Sequence, residues 1–305
     1  MRDKVLRFLM QGAPVRGEIV TLDRAWREVV ARHGLPAPVR DRLGELSAAA
    51  ALLGATLKFE GSLVMQIHGD GPVSLFVVEW CSDGSYRATA RLRDGAVIPE
   101  RAPLPELVNA HGNGRFVVTL DPRGDSPTRQ TWQGIVPFEG ETVSRVLERY
   151  MQRSEQIPTR LWLAADGERA VGLLLQRLPE SEAQVAQGAA PDADAWNRMQ
   201  QLADTVTGPE LLASRPEELL RRLFWQEPLH AFDERACRFA CRCSREKVGD
   251  MLRMLGAGEI EAILAERGEV EVNCEYCNQG YRFDAVDGIA LFHGASPDAG
   301  SQARH

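Results

Sequence analysis

The positions of the cysteines constrain this chain more than any other feature of its sequence. Of the six cysteines in 305 residues, Cys81 stands alone and the other five lie in the last quarter. These five are Cys237, Cys241, Cys243, Cys274 and Cys277. A secreted scaffold held by disulfides usually has a higher cysteine density, with the cysteines spread through the fold. The clustering therefore predicts a local metal or redox site near the end of the chain.

Four of these cysteines form two close pairs, Cys241-Arg242-Cys243 and Cys274-Glu275-Tyr276-Cys277, separated by thirty residues. Two thiolate pairs can fill the four tetrahedral positions around a zinc ion. The second pair precedes Asn278-Gln279-Gly280 and is typical of a zinc knuckle, whose turn directs sulfurs and backbone amides to one metal. The C-x-C spacer is shorter than most structural zinc sites use. We therefore predict one zinc ion bound by Cys241, Cys243, Cys274 and Cys277.

The pattern leaves two interpretations open, a permanent structural zinc site and a redox-sensitive one. The unit around the cysteines is too small for a comfortable core, so bound metal would supply much of its folding free energy. A disulfide inside C-x-C closes a very small ring, which is expected to be strained and easily reduced. Metal-bound thiolates are also already in the form that oxidants attack. Oxidation could thus release zinc and unfold this unit.

The remaining cysteines and two histidines are weaker candidates. Cys237 lies four residues before Cys241, and it could replace a ligand, form an off-register disulfide, or be an accessory, partly buried thiol. Cys81 follows Trp80 in a strand-like run and is predicted to be a strand-end or core thiol. His230 and His293 flank the zinc unit, but four cysteines already complete a tetrahedron.

The sequence of residues 1–178 predicts an α+β fold, that is, a domain of mixed helices and strands built on antiparallel sheet. Strand-like runs are separated by turn sequences such as Gly69–Pro72 and Ser82–Ser85, which favour hairpins. Residues 36–58 predict a helix, and an apolar stripe from Val143 to Met151 predicts another. The predicted strands are 62–68, 73–80, 86–92, 115–120, 129–138, 159–164 and 170–176. Strands in runs favour this class over a doubly wound parallel sheet.

Three further regions follow. The sequence of residues 179–235 predicts a helical linker region with apolar stripes at 196–206 and 219–224. Its apolar surface is too small to form an independent core, so we expect these helices to dock on another part of the protein, and to do so conditionally. The sequence of residues 236–290 predicts a small C-terminal zinc domain with four cysteine ligands. Its predicted elements are one helix from Ser244 to Leu255, a second helix that ends at Gly268, and strands at 269–273 and 281–284. Residues 291–305 predict a disordered tail.

Charge and hydropathy exclude several classes of function. The net charge is −7, and residues 237–284 contain seven basic and nine acidic side chains, so we expect no nucleic-acid partner. The longest uncharged run in the alanine-rich segment, 47–57, has eleven residues, against about 20 for a membrane span. The start of the chain lacks the features of a secretory signal. We therefore expect a cytoplasmic protein without a membrane partner.

No hydrolytic constellation and no phosphate-loop pattern occurs, so we expect neither an enzyme nor an ATP site. Two other functions were weighed. A thiol oxidoreductase using Cys274 and Cys277 is disfavoured because the pair lies in a knuckle with a second pair, not at a helix start after a strand. A zinc-ribbon interaction module remains the other alternative.

The motifs resemble those of the redox-regulated 33-kDa heat-shock chaperone family. Around the cysteines, the matching sequences are Cys243-Ser244-Arg245, Gly268-Glu269-Val270-Glu271-Val272 and Tyr281-Arg282-Phe283. In the first domain, they are Val15-Arg16-Gly17, Leu57-Lys58-Phe59-Glu60-Gly61, Gly69-Asp70-Gly71-Pro72, Gln133-Gly134-Ile135-Val136-Pro137 and Ser154-Glu155-Gln156-Ile157-Pro158-Thr159. The match covers roughly residues 1–290, and Cys237 lies outside the four-cysteine signature.

The resemblance implies an ATP-independent chaperone that holds unfolding proteins. In the reduced state the four cysteines would bind one zinc ion and the chaperone would be inactive. Oxidation would form the disulfides Cys241–Cys243 and Cys274–Cys277, release zinc and unfold the C-terminal unit. The linker would then loosen, apolar surface would be exposed, homodimers would form, and unfolded client proteins would be bound until reducing conditions return.

Overall fold

The computed structural model describes residues 3–57, 60–123, 130–179 and 194–293. These residues fall into two compact units, 1–240 and 241–305, with the boundary between Ala240 and Cys241. The boundaries expected from the sequence, after residues 178 and 235, stay predictions. Cys237, which we placed in the C-terminal domain, belongs to the first unit, because the strands on either side of it pair with strands of that unit.

The first unit contains twelve strands and seven α-helices among its described residues. The strands are β1 Lys4–Met10, β2 Val15–Leu22, β3 Gly61–His68, β4 Val73–Cys81, β5 Ser85–Leu92, β6 Arg115–Pro122, β7 Trp132–Pro137, β8 Thr159–Ala165, β9 Ala170–Arg177, β10 Leu229–Ala231, β11 Arg235–Ala236 and β12 Arg238–Phe239. The helices are α1 Arg24–Val30, α2 Ala37–Ala55, α3 Leu104–Val108, α4 Val143–Tyr150, α5 Ala195–Ala203, α6 Gly208–Ala213 and α7 Pro216–Leu223.

Two six-stranded sheets organise this unit. The first has the order β10-β1-β2-β9-β8, with β11 also paired to β1, and the second has the order β12-β5-β4-β3-β6-β7. Strands β3, β4 and β5 form the predicted antiparallel hairpins, with Leu63 opposite Trp80 and Trp80 opposite Tyr86. Only the short pairing of β12 with β5 is parallel among the described strand pairs. The α+β class predicted from the sequence is confirmed.

Helix α2 packs against strands of both sheets and forms the centre of the larger core. Every residue from Leu43 to Ala55 is buried. A helix that is apolar all round needs protein on every side, and the alanines keep it thin enough for that. The helix predicted from residues 36–58 is therefore confirmed over 37–55. No helix among the described residues is long and apolar enough to cross a membrane.

Strands β1 and β2 were missed by the sequence reasoning, although they form the middle of the first sheet. Seven of the eight residues of β2 are buried, so the alternation of apolar and polar residues that marks a half-exposed strand is absent. Its Gly17 also lowers strand propensity, yet it is needed here because a side chain at this position would overlap the Phe8 ring of β1.

The helices of the predicted linker region pack on the first sheet. Met199 of α5, Leu219 of α7 and Phe224 are almost fully buried, in a second core shared with Phe8. Both predicted apolar stripes thus have a partner in this structure. Lys4 of β1 adds ion pairs to Glu217 of α7 and to Glu234. Residues 180–193 of the predicted linker lie outside the described residues.

The second unit is small. It contains α8 Arg245–Leu255, α9 Ala257–Arg267, β13 Glu269–Asn273, β14 Gly280–Asp284 and α10 Ala285–His293. Its core has six buried residues, namely Val248, Leu252, Ile260, Val270, Phe283 and Leu291. Helix α10 was not predicted from the sequence. Residues 291–293, predicted as part of a disordered tail, form the last turn of this helix because Leu291 packs into the core. The rest of the predicted tail, 294–305, lies outside the described residues.

The close packing of α2 against β4 leads to a stability prediction. A methyl group at Gly54 would overlap the indole of Trp80, which is fully buried. We expect Gly54→Ala to lower the free energy of unfolding by about 1–3 kcal/mol, because this overlap outweighs the better helix propensity of alanine. Urea unfolding followed by circular dichroism measures the change. Gly34→Ala is the control, since no atom lies near the added methyl group, and an unchanged stability of Gly54→Ala would contradict the prediction.

Candidate metal centre

The four predicted ligands come from two segments of the second unit. Cys241 and Cys243 lie just before α8, and Cys274 and Cys277 lie in the turn between β13 and β14. The fold of the second unit thus brings together side chains that lie thirty residues apart in the sequence, and Val248 of α8 shares its core with Val270 of β13 and Phe283 of β14. The sequence-based prediction that these four residues form one group agrees with this geometry.

The four sulfurs form a compact cluster, with all of them within 4.8 Å of one another. The Sγ atoms of Cys241 and Cys274 are 3.6 Å apart, and those of Cys243 and Cys277 are 3.4 Å apart. A zinc–sulfur bond of about 2.3 Å in a tetrahedron gives sulfur–sulfur edges of about 3.8 Å. The donor set and its spacing therefore fit a tetrahedral metal ion, and the four cysteines could hold one.

The turn that carries the second pair has the features expected of a knuckle. The Asn278 amide donates to the Cys274 carbonyl at 2.8 Å, and Asn278 itself has a φ of 59°, a left-handed conformation that asparagine tolerates. Backbone amides of Tyr276 and Cys277 donate to the Cys274 sulfur, and that of Gln279 donates to the Cys277 sulfur. These amides stabilise negative charge on the sulfurs, as a metal site requires.

Helix α8 positions the first pair. Ser244 caps this helix by accepting a hydrogen bond from the Lys247 amide at 3.2 Å, so Cys243 lies at its positive end. The guanidinium of Arg245 donates to the Arg282 carbonyl at 2.7 Å and pairs with Asp287 at 2.6 Å. Arg245 thereby joins the start of α8 to β14 and to α10, and it holds the first cysteine pair beside the hairpin.

The thiols of the cluster share hydrogen bonds and do not titrate alike. Burial alone would raise the pKa of Cys241, but hydrogen bonds from the Cys243 amide and from neighbouring thiols lower it to about 7. Burial raises the pKa of Cys277, and its hydrogen bonds to the other sulfurs raise it further. Four thiolates this close repel one another, so all four can be ionised together only around a cation.

Tyr281 is a site residue that the sequence reasoning did not identify. Its hydroxyl, carried on β14, donates to the Sγ atom of Cys243 at 3.1 Å. This hydrogen bond also raises the pKa of Tyr281 to about 12, since it favours the protonated phenol. The only available signal was a tyrosine four residues after a C-x-x-C pair, and that does not show which sulfur it would reach.

The other candidates are not members of the cluster. Cys237 belongs to the first unit, where it is buried and where burial raises its pKa to about 12. Cys81 ends β4 and is buried, as predicted. His230 lies in β10 opposite Leu9 and packs edge-on against Phe232. Among the described residues, only Cys241, Cys243, Cys274 and Cys277 form a group of metal-ligand type.

The Tyr281 hydrogen bond leads to a second prediction. We expect Tyr281→Phe to bind its metal ion about 10-fold more weakly, because hydrogen bonds to ligand atoms orient and stabilise them. Competition with a chelator of known affinity measures the change. Tyr150→Phe removes a hydroxyl in the first unit, where it contacts Glu155, and serves as the control. Equal metal affinity in the two variants would contradict a role for the Tyr281 hydroxyl at the site.

Comparison with known proteins agrees with the motifs. A family model described as Hsp33 protein matches residues 3–284. A 33 kDa chaperonin from Chromobacterium violaceum is 46% identical over 303 residues, which cover 99% of this chain and 98% of that protein. Another 33 kDa chaperonin, from Methylobacillus flagellatus, is 47% identical over 304 residues, or 99% of each chain.

A solved structure also resembles this fold. It is the crystal structure of a 33 kDa chaperonin, a heat shock protein 33 homologue, from Thermotoga maritima. The TM-score is 0.74, with 95% of this chain and 97% of that chain covered, and the sequence identity is 21%. At this identity the likeness shows the shared fold alone. The family model and the relatives together span nearly the whole sequence, and they show that this chain belongs to the Hsp33 family.

Proposed function

We propose that this protein is a redox-regulated, ATP-independent chaperone that holds unfolding proteins and prevents their aggregation. The observation that carries the proposal is the cluster of four half-buried thiols in a unit whose described residues include a core of only six buried side chains. Relatives that match along almost the whole chain are named 33 kDa chaperonins, which supports the chaperone class.

In the reduced state, we propose that Cys241, Cys243, Cys274 and Cys277 bind one zinc ion. Soft sulfur donors in a tetrahedral arrangement suit zinc, which is not itself oxidised or reduced. A structural zinc site contributes on the order of 10–16 kcal/mol of binding free energy to small domains. In a unit with so small a core, the free energy of zinc binding decides whether the fold persists. We propose that this reduced, zinc-bound protein is the inactive form.

Oxidation would form the disulfides Cys241–Cys243 and Cys274–Cys277. Each disulfide forms as two thiolates lose two electrons to an oxidant such as peroxide, which is reduced to water. Two close sulfur contacts, Cys241 with Cys274 and Cys243 with Cys277, join different segments, but all four sulfurs lie within 4.8 Å of one another, so the local pairs are also in reach. Disulfides between the segments would link α8 covalently to the hairpin. Disulfides within each pair would leave no covalent or metal-mediated link between the two segments. Local pairing therefore releases zinc and lets the unit unfold.

The predicted client-binding surface lies under α5 and α7. Met199, Leu219 and Phe224 are buried against the first sheet in the reduced state. These helices have no core apart from that sheet, so their docking is the kind of contact that opens at a cost below global unfolding. We propose that oxidation loosens them, that their apolar faces bind unfolded clients, and that the exposed surface also forms homodimers.

The other expected properties remain part of this proposal. We place the protein in the cytoplasm, where thiols are kept reduced until oxidative stress. The proposed activity needs no ATP, no nucleic acid and no catalytic step on the client. The thiol oxidoreductase alternative gains no support, because Cys274 and Cys277 lie in a hairpin turn and not at a helix start. Catalytic turnover in a disulfide-reduction assay would favour that alternative.

The zinc switch predicts a fixed stoichiometry. We expect the reduced protein to contain one zinc ion and six free thiols, and treatment with peroxide under mild unfolding stress to remove four thiols and release the zinc. A thiol titration in denaturant, with zinc measured by a chromogenic chelator, gives both numbers. The double variant Cys81→Ser/Cys237→Ser should lose the same four thiols and retain none. Zinc retention after loss of the four thiols would contradict the switch.

Chaperone activity should follow the oxidation state. We expect the oxidised protein to suppress most of the light scattering of a heat-unfolded enzyme at near-equimolar ratio, and the reduced, zinc-loaded protein to suppress little of it. Re-reduction with zinc should return the protein to the inactive state. The variant Cys81→Ser should behave as the natural sequence does, because Cys81 is a buried strand residue of the first unit. Equal suppression by the reduced and oxidised proteins would overturn the redox control.

A further inference from the structure

A cavity of about 300 Å³ lies in the first unit, where β1 and β2 meet the end of α2, and no cysteine lines it. Three ionisable side chains line it, Arg7, Arg16 and Glu18. Its apolar wall includes Leu57, Leu178 and the Phe232 ring. A cavity of this size, mostly apolar with a few converging polar groups, has the composition of a small-molecule site. The proposed chaperone function uses none of these three ionisable groups.

Glu18 is an unusual group at this position. It is 2% exposed, and its Oε2 atom has no hydrogen-bond partner. It lies directly opposite Arg7 in the β1–β2 register, and Arg16 is two residues earlier on the same face of β2. Burial raises the pKa of Glu18 to about 8, although the charges of Arg16, Arg7 and Arg235 act to lower it. At neutral pH the carboxyl is therefore mostly protonated and can donate a hydrogen bond.

The two arginines outnumber the one carboxyl of the cavity, and burial lowers the pKa of Arg16 although the charge of Glu18 acts to raise it. Arg16 donates from Nε at 2.8 Å and from Nη2 at 2.5 Å to the Oε1 atom of Gln176, which is a neutral partner. Arg7 lies over the Phe232 ring, 5.8 Å from its centroid. Neither guanidinium forms an ion pair with any residue in the described part of the chain. Two cations beside one neutral carboxyl leave an excess of positive charge in a half-enclosed, apolar cavity.

We propose that this cavity binds a small organic carboxylate with an apolar body, whose carboxylate is held by Arg7 and Arg16 and by a hydrogen bond with Glu18. Guanidinium groups recognise carboxylates well because both are planar and form charge-assisted hydrogen bonds. A cationic ligand would be repelled by both arginines, and a neutral ligand would leave their charge uncompensated. The apolar part of the ligand would be buried against Leu57 and Leu178.

This inference is independent of the zinc switch. Every residue it uses belongs to the first unit, so the test is made on the full-length, reduced, zinc-loaded protein. The probes are 3-phenylpropanoate, the neutral 3-phenylpropanol and the cationic 3-phenylpropylamine, which share one apolar body. We expect saturable binding of the carboxylate by isothermal titration calorimetry at pH 7, and at least about 10-fold weaker binding of the other two.

Substitutions separate a binding role from a structural one. Arg16→Met and Arg7→Met should each weaken carboxylate binding about 10-fold, whereas Arg101→Met, which changes an exposed arginine of a loop, should not alter it. Binding to the natural sequence should weaken between pH 7 and pH 9, as Glu18 loses its proton and repels the ligand. Glu18→Gln keeps a neutral hydrogen-bond donor, so it should bind equally at both pH values.

The proposal is overturned by any of three results. One is the absence of saturable carboxylate binding to a protein that carries its full zinc content. Another is equal affinity for the carboxylate and the amine. The third is carboxylate binding that Arg16→Met and Arg7→Met leave unchanged. Since chaperone activity is measured separately, failure here leaves the proposed function untouched.

Discussion

The close approach of four cysteine sulfurs is the central constraint in the second unit. The sulfurs of Cys241, Cys243, Cys274 and Cys277 come from two segments of the chain and lie within 4.8 Å of one another. As thiols they compete for hydrogen bonds, and as thiolates they repel. In the proposed zinc-bound state, a divalent cation would offset that repulsion and cross-link a unit that has six buried core residues among those described. Metal binding at the sulfurs would then be a main contribution to the stability of the unit.

The first unit is stabilised in a different way. Its central helix is buried between two sheets, and its fit is tight enough that Gly54 has no room for a methyl group beside Trp80. Helices α5, α6 and α7 pack on the first sheet and share the core around Phe8 and Phe224. The first unit thus combines a central helix between two sheets with a second layer of helices on one of them.

Most of the architecture was predictable from local patterns. Turn sequences and alternating strands identified β3, β4 and β5, and the helical periodicity identified α4 and α8. The strand β2 was missed because it is buried on both faces and has no alternation to detect. Helix α10 was missed because its apolar residues show only a weak helical periodicity and acquire their role only when Leu291 packs against α8 and α9. In both cases the decisive contacts are distant in the sequence.

The sequence by itself determined that four cysteines lie in two close pairs, and their spacing and residue type are enough to predict a metal site. Only the tertiary structure decided which side chains support them. The Tyr281 hydroxyl reaches Cys243 from β14, and Arg245 holds the first pair because its guanidinium donates to the Arg282 carbonyl of the same strand. Likewise, Arg7, Arg16 and Glu18 form one cavity only because two strands pair in a particular register beside the end of α2. Hydrogen bonds and burial depend on neighbours in space, and a linear pattern does not specify those neighbours.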